Sequence, residues 1–353
     1  MGRKIMKVFR NIFLVLLLVV IVLLAGAWSM FGEKITAAQS VKKLEEGLYY
    51  IEFSGDYGFG EFLDKGGASS EVAMAEYITS YLSGGFMKAG TDAVPQDFGC
   101  STLTVGNIEG GSLMGRNFDW EGESGASIII HTKPDDGYES YSTCWLDFLG
   151  FGENWKPEGM PNQYMAIASI YVPLDGMNEK GLCVADLVNG DEEQTHQNTD
   201  KADLTTNTAI RLLLDRAATV DEAIELLQQY DMNSAIGMSH HLAIADASGR
   251  SVVVEYVNNE MIVTETSAVT NHYLSECEKY GVGNEESHTR FDKLMDMRAD
   301  IASVNQLRDG MESVSYAGIT QWSIVYDTKN MILDFYWQRD FENSHQFKFE
   351  NAE

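Results

Sequence analysis

One cysteine and two charged residues form the most distinctive group of reactive side chains in this 353-residue sequence. Cys100 begins the run CSTLTV, and Arg116 and Asp119 follow it 16 and 19 residues later. The thiolate is the nucleophilic form of cysteine, and a nearby guanidinium lowers the thiol pKa from its ordinary value of about 8.5. The spacing therefore predicts a thiol nucleophile whose protonation is set by an arginine and a carboxylate.

The chain around these residues has the pattern of a β-hairpin. Residues 101–105 and 112–118 alternate in the period of a strand and are separated by a short turn that contains Gly110 and Gly111. A hairpin of this kind brings Arg116 and Asp119 back beside Cys100.

Gly99, which precedes the cysteine, has no side chain to hinder attack on its own carbonyl. We therefore predict that the chain cuts itself between Gly99 and Cys100. The α-amine released has a reference pKa of about 7.7 to 8.0, so it can take the thiol proton near neutral pH. Asp119 would hold that amine. The alternative is that Cys100 is a small buried hydrophobe and that Arg116 and Asp119 form an ordinary ion pair.

Four segments in the same order resemble the choloylglycine hydrolase family of linear amide C-N hydrolases, which are N-terminal-nucleophile hydrolases. The family includes bile salt hydrolases and penicillin V acylases and, more distantly, acid ceramidase. Cys100 with Gly115–Asp119 resembles its nucleophile signature. The other similar segments are Asp175–Leu182, Val269–Asn271 and Ser287–Phe291.

The resemblance implies a role for each matching residue. Cys100 would be the nucleophile with its own α-amine as base, and Arg116 and Asp119 would position and activate it. Asn271 would donate to the tetrahedral oxyanion, and Arg290 would complete the polar site. Taken alone, Asn271 is equally a turn residue and Arg290 a surface charge near a helix N-terminus.

One segment departs from the family pattern. Bile salt hydrolases continue after the Asn-Glu-Lys-Gly turn with Ala-Gly-Leu-Asn-Phe, whereas this chain has Ala185-Asp-Leu-Val188-Asn189. Val188 occupies the place of the family's active-site asparagine. Asn189 is the predicted substitute in substrate binding, but a one-residue step along a strand reverses the face. Bile-salt specificity is therefore in doubt.

The substrate is predicted to be a small N-acyl amide, with Trp145 and Phe148 as candidate contacts for its acyl group. Bile conjugates, penicillin V, N-acyl amino acids and lipid amides all remain open. An acyltransferase of the same fold is an alternative, because a thioester can pass to an amine instead of water. A non-catalytic, membrane-anchored binding protein is a second alternative.

The composition fits an acidic globular enzyme. Asp and Glu number 53 against 25 Lys and Arg, for a formal net charge of −28. Nucleic acid is excluded as a partner because phosphate binding requires a basic face. The four cysteines and seven histidines show no metal-ligand spacing, so we predict neither a metal nor a cofactor. A homo-oligomer is left open.

The N-terminus predicts export. Basic residues at positions 3, 4, 7 and 10 precede an uncharged run over residues 12–31, long enough to span a bilayer. Positive flanks stay in the cytoplasm, so the rest of the chain would be extracytoplasmic, anchored by this single segment. Ala25-Gly-Ala27 also resembles a signal-peptide cleavage site, which makes secretion the alternative.

Three regions follow from these features. Residues 1–33 are a signal-anchor or signal peptide, residues 34–99 a pro-segment, and residues 100–353 the catalytic domain. The pro-segment contains a predicted strand over Leu48–Phe53 and a predicted helix over Glu71–Leu82. In acid ceramidase and its relatives such a pro-region is severed by self-cleavage, and the resemblance implies the same here.

The predicted fold class is α+β. Hairpins with helices inserted between them indicate antiparallel sheets with helical outer layers. The resemblance sharpens this to the four-layer αββα sandwich of the N-terminal-nucleophile hydrolases. Predicted strands include Met165–Val172, Leu182–Leu187, Leu242–Ala247, Ser251–Tyr256, Ser323–Tyr326 and Met331–Tyr336, and predicted helices include Leu204–Ala217, Val220–Tyr230, Arg290–Ile301 and Val304–Met311.

Overall fold

The computed structural model describes residues 26, 28, 30–84, 98–121, 125–149, 155–191, 193–235 and 237–350. Most of the predicted membrane segment, residues 12–31, lies outside these ranges, as do residues 85–97 before the predicted cleavage site. In the part of the chain that is described, no helix is both long and apolar enough to cross a bilayer.

The described strands fall into two large sheets and one small pair. They are β1 (Lys42–Glu45), β2 (Leu48–Ser54), β3 (Phe98–Gly106), β4 (Ser112–Trp120), β5 (Ser127–Lys133), β6 (Ser140–Trp145), β7 (Asp175–Asn178), β8 (Cys183–Val188), β9 (Ala202–Thr205), β10 (Tyr230–Asn233), β11 (His240–Ala245), β12 (Ser251–Val257), β13 (Glu260–Glu265), β14 (Ala268–Val269), β15 (Thr320–Asp327), β16 (Ile332–Trp337) and β17 (His345–Lys348).

The helices are inserted between these strands. They are α1 over residues 30–40, α2 (Phe59–Asp64), α3 (Glu71–Ser83), α4 (Met160–Met165), α5 (Thr206–Arg216), α6 (Val220–Leu227), α7 (Glu285–Met297) and α8 (Val304–Glu312), with 3₁₀ turns at Leu146–Leu149, Ala166–Tyr171 and Arg298–Asp300.

Within the described ranges the larger sheet has nine strands in the order β1-β2-β5-β6-β7-β8-β11-β12-β13, and the smaller has six in the order β14-β3-β4-β15-β16-β17. Neighbouring strands in both sheets are antiparallel, except that β2 and β5 run parallel. Strands β9 and β10 form a separate parallel pair. The predicted hairpin of Cys100 is confirmed as β3 and β4.

Three apolar clusters set the order of the layers. The first lies between the larger sheet and helices that include α3, α5 and α6, the second lies between the two sheets, and the third lies between the smaller sheet and helices α7 and α8. The layers therefore follow as helices, sheet, sheet and helices. The prediction of a mixed α+β sandwich is confirmed.

Strand β5, inside this sandwich, has apolar residues on both faces. In β5, Ile128 and Ile130 belong to the cluster under the helices, while Ile129 belongs to the cluster between the sheets. The sequence of such a strand is a continuous run of β-branched residues, because neither face is exposed to water. Helix α5 covers the same sheet; it begins after Thr205, whose hydroxyl accepts from the backbone N–H of Thr208.

The predicted strand at Met165–Val172 is wrong. Helix α4 ends at Met165, and Ala166–Tyr171 form a 3₁₀ turn in which every residue is buried. A short apolar segment that is buried on every side shows no helical or strand periodicity. Its sequence pattern therefore does not distinguish a helical turn from a buried strand. The strand that forms a hairpin with β8 is β7, at Asp175–Asn178.

The N-terminal segment, defined here as residues 34–84, is part of the same fold. Strand β2 pairs with β5 from Leu48 opposite Ser127 to Ser54 opposite Lys133. Its residues Ile51 and Phe53 are fully buried under the helices. The Tyr57 hydroxyl donates to the Asp215 carboxylate at 2.5 Å, which ties the segment to α5.

Candidate active site

Cys100 lies near the start of β3, where three elements meet. In the hairpin register Cys100 is opposite Phe118, and Thr102 is opposite Arg116. Cys100 and Phe118 both belong to the apolar cluster between the two sheets. The thiol is therefore buried, and the residue is only 4% exposed.

Arg116 is the charged partner of this thiol. Its guanidinium is within hydrogen-bond reach of the Cys100 side chain. Burial raises the pKa of the Cys100 thiol, and the charge and hydrogen bond of Arg116 oppose that rise. The sequence prediction that Arg116 adjoins Cys100 agrees with this arrangement, although burial keeps the thiol pKa above its ordinary value.

Arg116 is itself held in place from several sides. Its Nε donates to the Asp175 carboxylate at 3.3 Å, and its Nη1 and Nη2 donate to the backbone oxygens of Asn117 at 2.6 Å and Asp186 at 2.9 Å. The guanidinium and Asp175 are both fully buried. A buried pair of this kind is tolerated because each charge has a partner and hydrogen bonds.

Asp175 is a residue that the sequence analysis did not single out. Its carboxylate accepts hydrogen bonds from Thr143, Trp322 and Tyr326 at 2.5, 3.1 and 2.9 Å, in addition to that of Arg116. Four donors from three strands, β4, β6 and β15, thus converge on one buried carboxylate. Its position in Asp175–Leu182, a segment that resembles the family, was the signal available in the sequence.

Asn271 and Arg290 hold the backbone of Cys100. The side-chain oxygen of Asn271 accepts from the Cys100 N–H at 2.7 Å and from Arg290 Nη2 at 2.8 Å. Arg290 Nη1 donates to the Cys100 carbonyl at 2.7 Å. Two donors at one end of the Asn271 amide require its oxygen there, so its NH₂ group faces the Val188 carbonyl, to which it donates at 2.5 Å.

Asp119 lies on the α7 side of β4, next to Gly99. Gly99 is its strand partner, and Arg290 Nη1 lies 3.4 Å from its Oδ2. The Thr320 hydroxyl donates to Oδ1 at 2.5 Å. Burial raises the pKa of the Asp119 carboxyl, and Arg290 and the Thr320 hydroxyl oppose the rise. The other four predicted catalytic residues thus lie around the Gly99–Cys100 peptide, on both faces of β3.

The predicted substrate contacts are more dispersed. Asn189 is buried, its side-chain oxygen accepts from the Ser239 hydroxyl, and its NH₂ group has no partner within the described ranges. Trp145 is fully buried between the sheets. Phe148 is partly buried and packs edge-on against Trp120 with ring centroids 4.9 Å apart. Their roles in binding stay predictions.

Aromatic rings lie next to Cys100. Phe118, the strand partner of Cys100, stacks on Trp322 at 4.1 Å and on Trp120 at 6.1 Å between ring centroids. The thiol therefore shares its face of the hairpin with an aromatic stack, as well as with the charged Arg116 and the polar Thr102.

Within the described ranges, no group of three or more His, Cys, Asp and Glu side chains is arranged to hold a metal ion. His240 and His241, which the sequence places side by side, are engaged separately. His240 Nδ1 lies 2.9 Å from both carboxylate oxygens of Asp186, and His241 contacts Glu255 and the Thr270 carbonyl.

Comparison with known proteins supports the resemblance seen in the sequence. The profile of the linear amide C-N hydrolases, choloylglycine hydrolase family, matches residues 100–273. The predicted resemblance of this part of the chain to the choloylglycine hydrolase family is confirmed. The match begins at Cys100 and ends just after Asn271, so it contains four of the five predicted catalytic residues.

Individual relatives agree with this family assignment. The chain is 26% identical over 164 residues to a penicillin V acylase of Pectobacterium atrosepticum. The aligned part covers 43% of this chain and 42% of the relative. The matched part thus spans less than half the length of that relative.

Solved structures share the fold. The penicillin V acylase of Agrobacterium tumefaciens superposes with a TM-score of 0.51 at 17% identity, over 71% of this chain and 87% of its own. A mutant of the conjugated bile acid hydrolase of Clostridium perfringens superposes with a TM-score of 0.51 at 16% identity, over 72% and 93%. At these identities the likeness concerns the fold alone.

Proposed function

We propose that this chain is the precursor of a linear amide hydrolase in which Cys100 is the nucleophile and becomes the N-terminal residue by self-cleavage after Gly99. One observation carries the proposal: Asn271 and Arg290 hold the N–H and the carbonyl of Cys100 while Arg116 contacts its thiol. A buried structural cysteine has no need of charged groups on its own backbone.

Maturation follows from the groups around the Gly99–Cys100 peptide. The Cys100 sulfur attacks the Gly99 carbonyl carbon, the C–N bond breaks, and the nitrogen takes up the thiol proton to become an amine. Water then hydrolyses the thioester, which leaves a carboxylate on Gly99 and a free thiol on Cys100. Asn271 is placed to hold the new amine, since its oxygen already accepts from that nitrogen.

Turnover uses the same atoms on an external amide. The α-amine of Cys100 takes the thiol proton, the thiolate attacks the acyl carbon, and the amine of the substrate leaves with that proton. Water then cleaves the thioester. The predicted oxyanion contact from Asn271 would use the N–H of its NH₂ group other than the one that donates to the Val188 carbonyl. Loss of one such donor costs on the order of 10² to 10³ in kcat.

The acyl group of the substrate is proposed to be apolar. Phe118, Trp120 and Phe148 form the aromatic surroundings of the thiol, which favours an aromatic or aliphatic acyl group. The relatives are a penicillin V acylase and a conjugated bile acid hydrolase by name. Val188 in place of an asparagine argues against bile conjugates, so we place penicillin V, N-acyl amino acids and lipid amides ahead of them.

The regions predicted from the sequence belong to this proposal. Residues 1–33 would carry the enzyme out of the cytoplasm as an anchor or a signal peptide, and residues 34–99 would be the pro-segment. The pairing of β2 with β5 supports a pro-segment that stays bound to the catalytic part after cleavage.

The test combines mass analysis with a substrate panel. Purified wild-type protein is expected to contain a fragment that begins at Cys100, and Cys100→Ala protein is expected to remain uncut and to hydrolyse no member of a panel of acyl amides. Cys277→Ala is the matched control, because Cys277 is also a free thiol and lies outside the site. Hydrolysis that persists in Cys100→Ala would refute the mechanism, and an active panel limited to bile conjugates would refute the substrate preference.

A further inference from the structure

An irregularity in the smaller sheet brings a hydroxyl to the catalytic carboxylate. Strand β15 pairs with β4 so that Trp322 is opposite Phe118, but the register shifts between Thr320 and Trp322, and Thr320 is opposite Asp119. Without the shift Gln321 would take that place. Extra residues of this kind in a strand re-aim a side chain and are frequent beside active sites.

The hydrogen bonds of Thr320 fix the direction of its hydroxyl proton. Its Oγ1 accepts from the Tyr316 N–H at 2.8 Å and lies 2.5 Å from Asp119 Oδ1. A backbone N–H can only donate, so it occupies an oxygen lone pair and leaves the hydroxyl proton for the carboxylate. The residue is 4% exposed, and water does not compete for this bond.

We propose that Thr320 is a positioning residue for the reactions at Cys100, acting through Asp119. The inference rests on the proposed function. With Oδ1 held by Thr320 and Oδ2 facing Arg290, the Asp119 carboxylate is fixed in the orientation that presents Oδ2 to Gly99 and to the amine that forms at Cys100.

Several charged or titratable groups face Asp119 from the surrounding elements. They are Arg290 on α7, Arg116 on β4, Arg339 after β16, Cys100 on β3 and Tyr316 in the turn before β15. Burial raises the pKa of the Asp119 carboxyl, and the Thr320 hydroxyl is one of the groups that lower it. Removal of the hydroxyl therefore raises this pKa further, while the arginines are unchanged.

The first experiment needs no activity. In the uncut Cys100→Ala precursor, Thr320→Val removes the hydroxyl at constant shape, and Thr320→Ser keeps it. Loss of a hydrogen bond to a charged group raises the unfolding equilibrium constant by about tenfold or more. The deficit of the valine variant should be full near pH 8 and should shrink as falling pH protonates Asp119, and the serine variant should show little deficit. A deficit that is equal at every pH would overturn the inference.

The second experiment follows the rate of self-cleavage against pH in chains that keep Cys100. The acid limb of the Thr320→Val profile should move up by about one pH unit, and Thr320→Ser should restore the wild-type limb. Superimposed valine and wild-type profiles would overturn the positioning role and leave the proposed function intact. A wild-type chain that never cleaves would refute the proposed function itself, whatever the stability data show.

Discussion

Gly99 has no side chain, and this leaves space for the carboxylate of Asp119. A Cβ at position 99 would lie 3.2 Å from Asp119 Oδ2 and 3.3 Å from Asp119 Cβ. Asp119 is fixed by Thr320 and Arg290 and cannot withdraw freely. We expect Gly99→Ala to slow self-cleavage by about tenfold, because small misplacements of a catalytic group cost that much or more. The appearance of the Cys100 fragment by mass spectrometry measures the rate.

The control for this substitution lies in the same strand. A Cβ at Gly106 would meet no heavy atom within 4 Å, so Gly106→Ala should cleave at the wild-type rate. The Cys100 fragment made from Gly99→Ala has the wild-type sequence, and the mature particle differs only at the last residue of the bound N-terminal fragment. Equal rates of cleavage for both alanine variants would show that Asp119 does not limit maturation.

At the scale of single residues, the sequence predicts contacts between residues that are close along the chain or belong to a known motif. It does not predict contacts between distant residues that only the fold brings together. Cys100, Arg116 and Asp119 share one hairpin, so their proximity follows from strand period and turn. Thr320 lies 201 residues from Asp119 and reaches it only because the register shifts. Asp175 gathers donors from β4, β6 and β15. Neither contact leaves a local pattern.

At the scale of elements, helix α7 contacts the chain that follows β14 and carries Asn271. Its residue Ser287 donates to Thr270 Oγ1 at 3.0 Å and contacts His272 Nδ1 at 2.9 Å. The rings of His272 and His288 lie 4.0 Å apart between centroids. Asn271 is thus flanked on both sides by residues that α7 holds.

The histidine in this contact gives the element a pH dependence. Burial, helped by His288 and His241, lowers the pKa of His272 from 6.5 to about 4. The unfolded chain therefore binds a proton that the folded chain does not, at pH values between these two. Stability should fall as pH decreases through this window, with a slope of up to about 1.4 kcal/mol per pH unit from this residue.

Thermal or denaturant unfolding of the Cys100→Ala precursor between pH 7 and pH 4 measures that slope. His272→Asn keeps a hydrogen-bonding atom near Nδ1 and removes the titration, so its profile should be flatter than the reference. His345→Asn, at the surface end of β17, should keep the reference slope. If stability falls with pH at the same slope in the reference protein and in His272→Asn, the assignment of the pH dependence to this residue is contradicted.

The wrong strand prediction at Met165–Val172 and the correct strand predictions both come from reliance on local patterns of apolar residues. Alternation predicts β3, β4, β11 and β12 because each pairs in a hairpin with short turns, whereas Ala166–Tyr171 is buried on every side. The extent of burial depends on the layers above and below, which the local sequence does not encode. Helix ends are subject to the same limit: α6 ends at Leu227, not at Tyr230.

At the scale of the whole molecule, the predicted pro-segment is an interior part of the sandwich. Strand β2 separates β1 from β5, and Tyr57 reaches Asp215 on α5 across the apolar layer. Arg211 holds the same carboxylate at 2.9 Å and donates to Ser140 on β6 at 2.6 Å. The proposed cleavage of one peptide bond at Gly99 would leave all of these contacts in place.

The two fragments of the cleaved chain should therefore remain one particle. In detergent-solubilised full-length protein, we expect the N-terminal fragment and the Cys100 fragment to co-elute in gel filtration and to separate only on denaturation. Ile51→Lys would place a charge in a fully buried position under the helices, which costs several kcal/mol. It should release the N-terminal fragment or prevent folding, whereas Val72→Lys, at a residue 54% exposed on α3, should leave the pair intact. If wild-type fragments separate without denaturant, the strand pairing of β2 with β5 does not hold the mature enzyme together, and any N-terminal anchor would be lost when the enzyme matures.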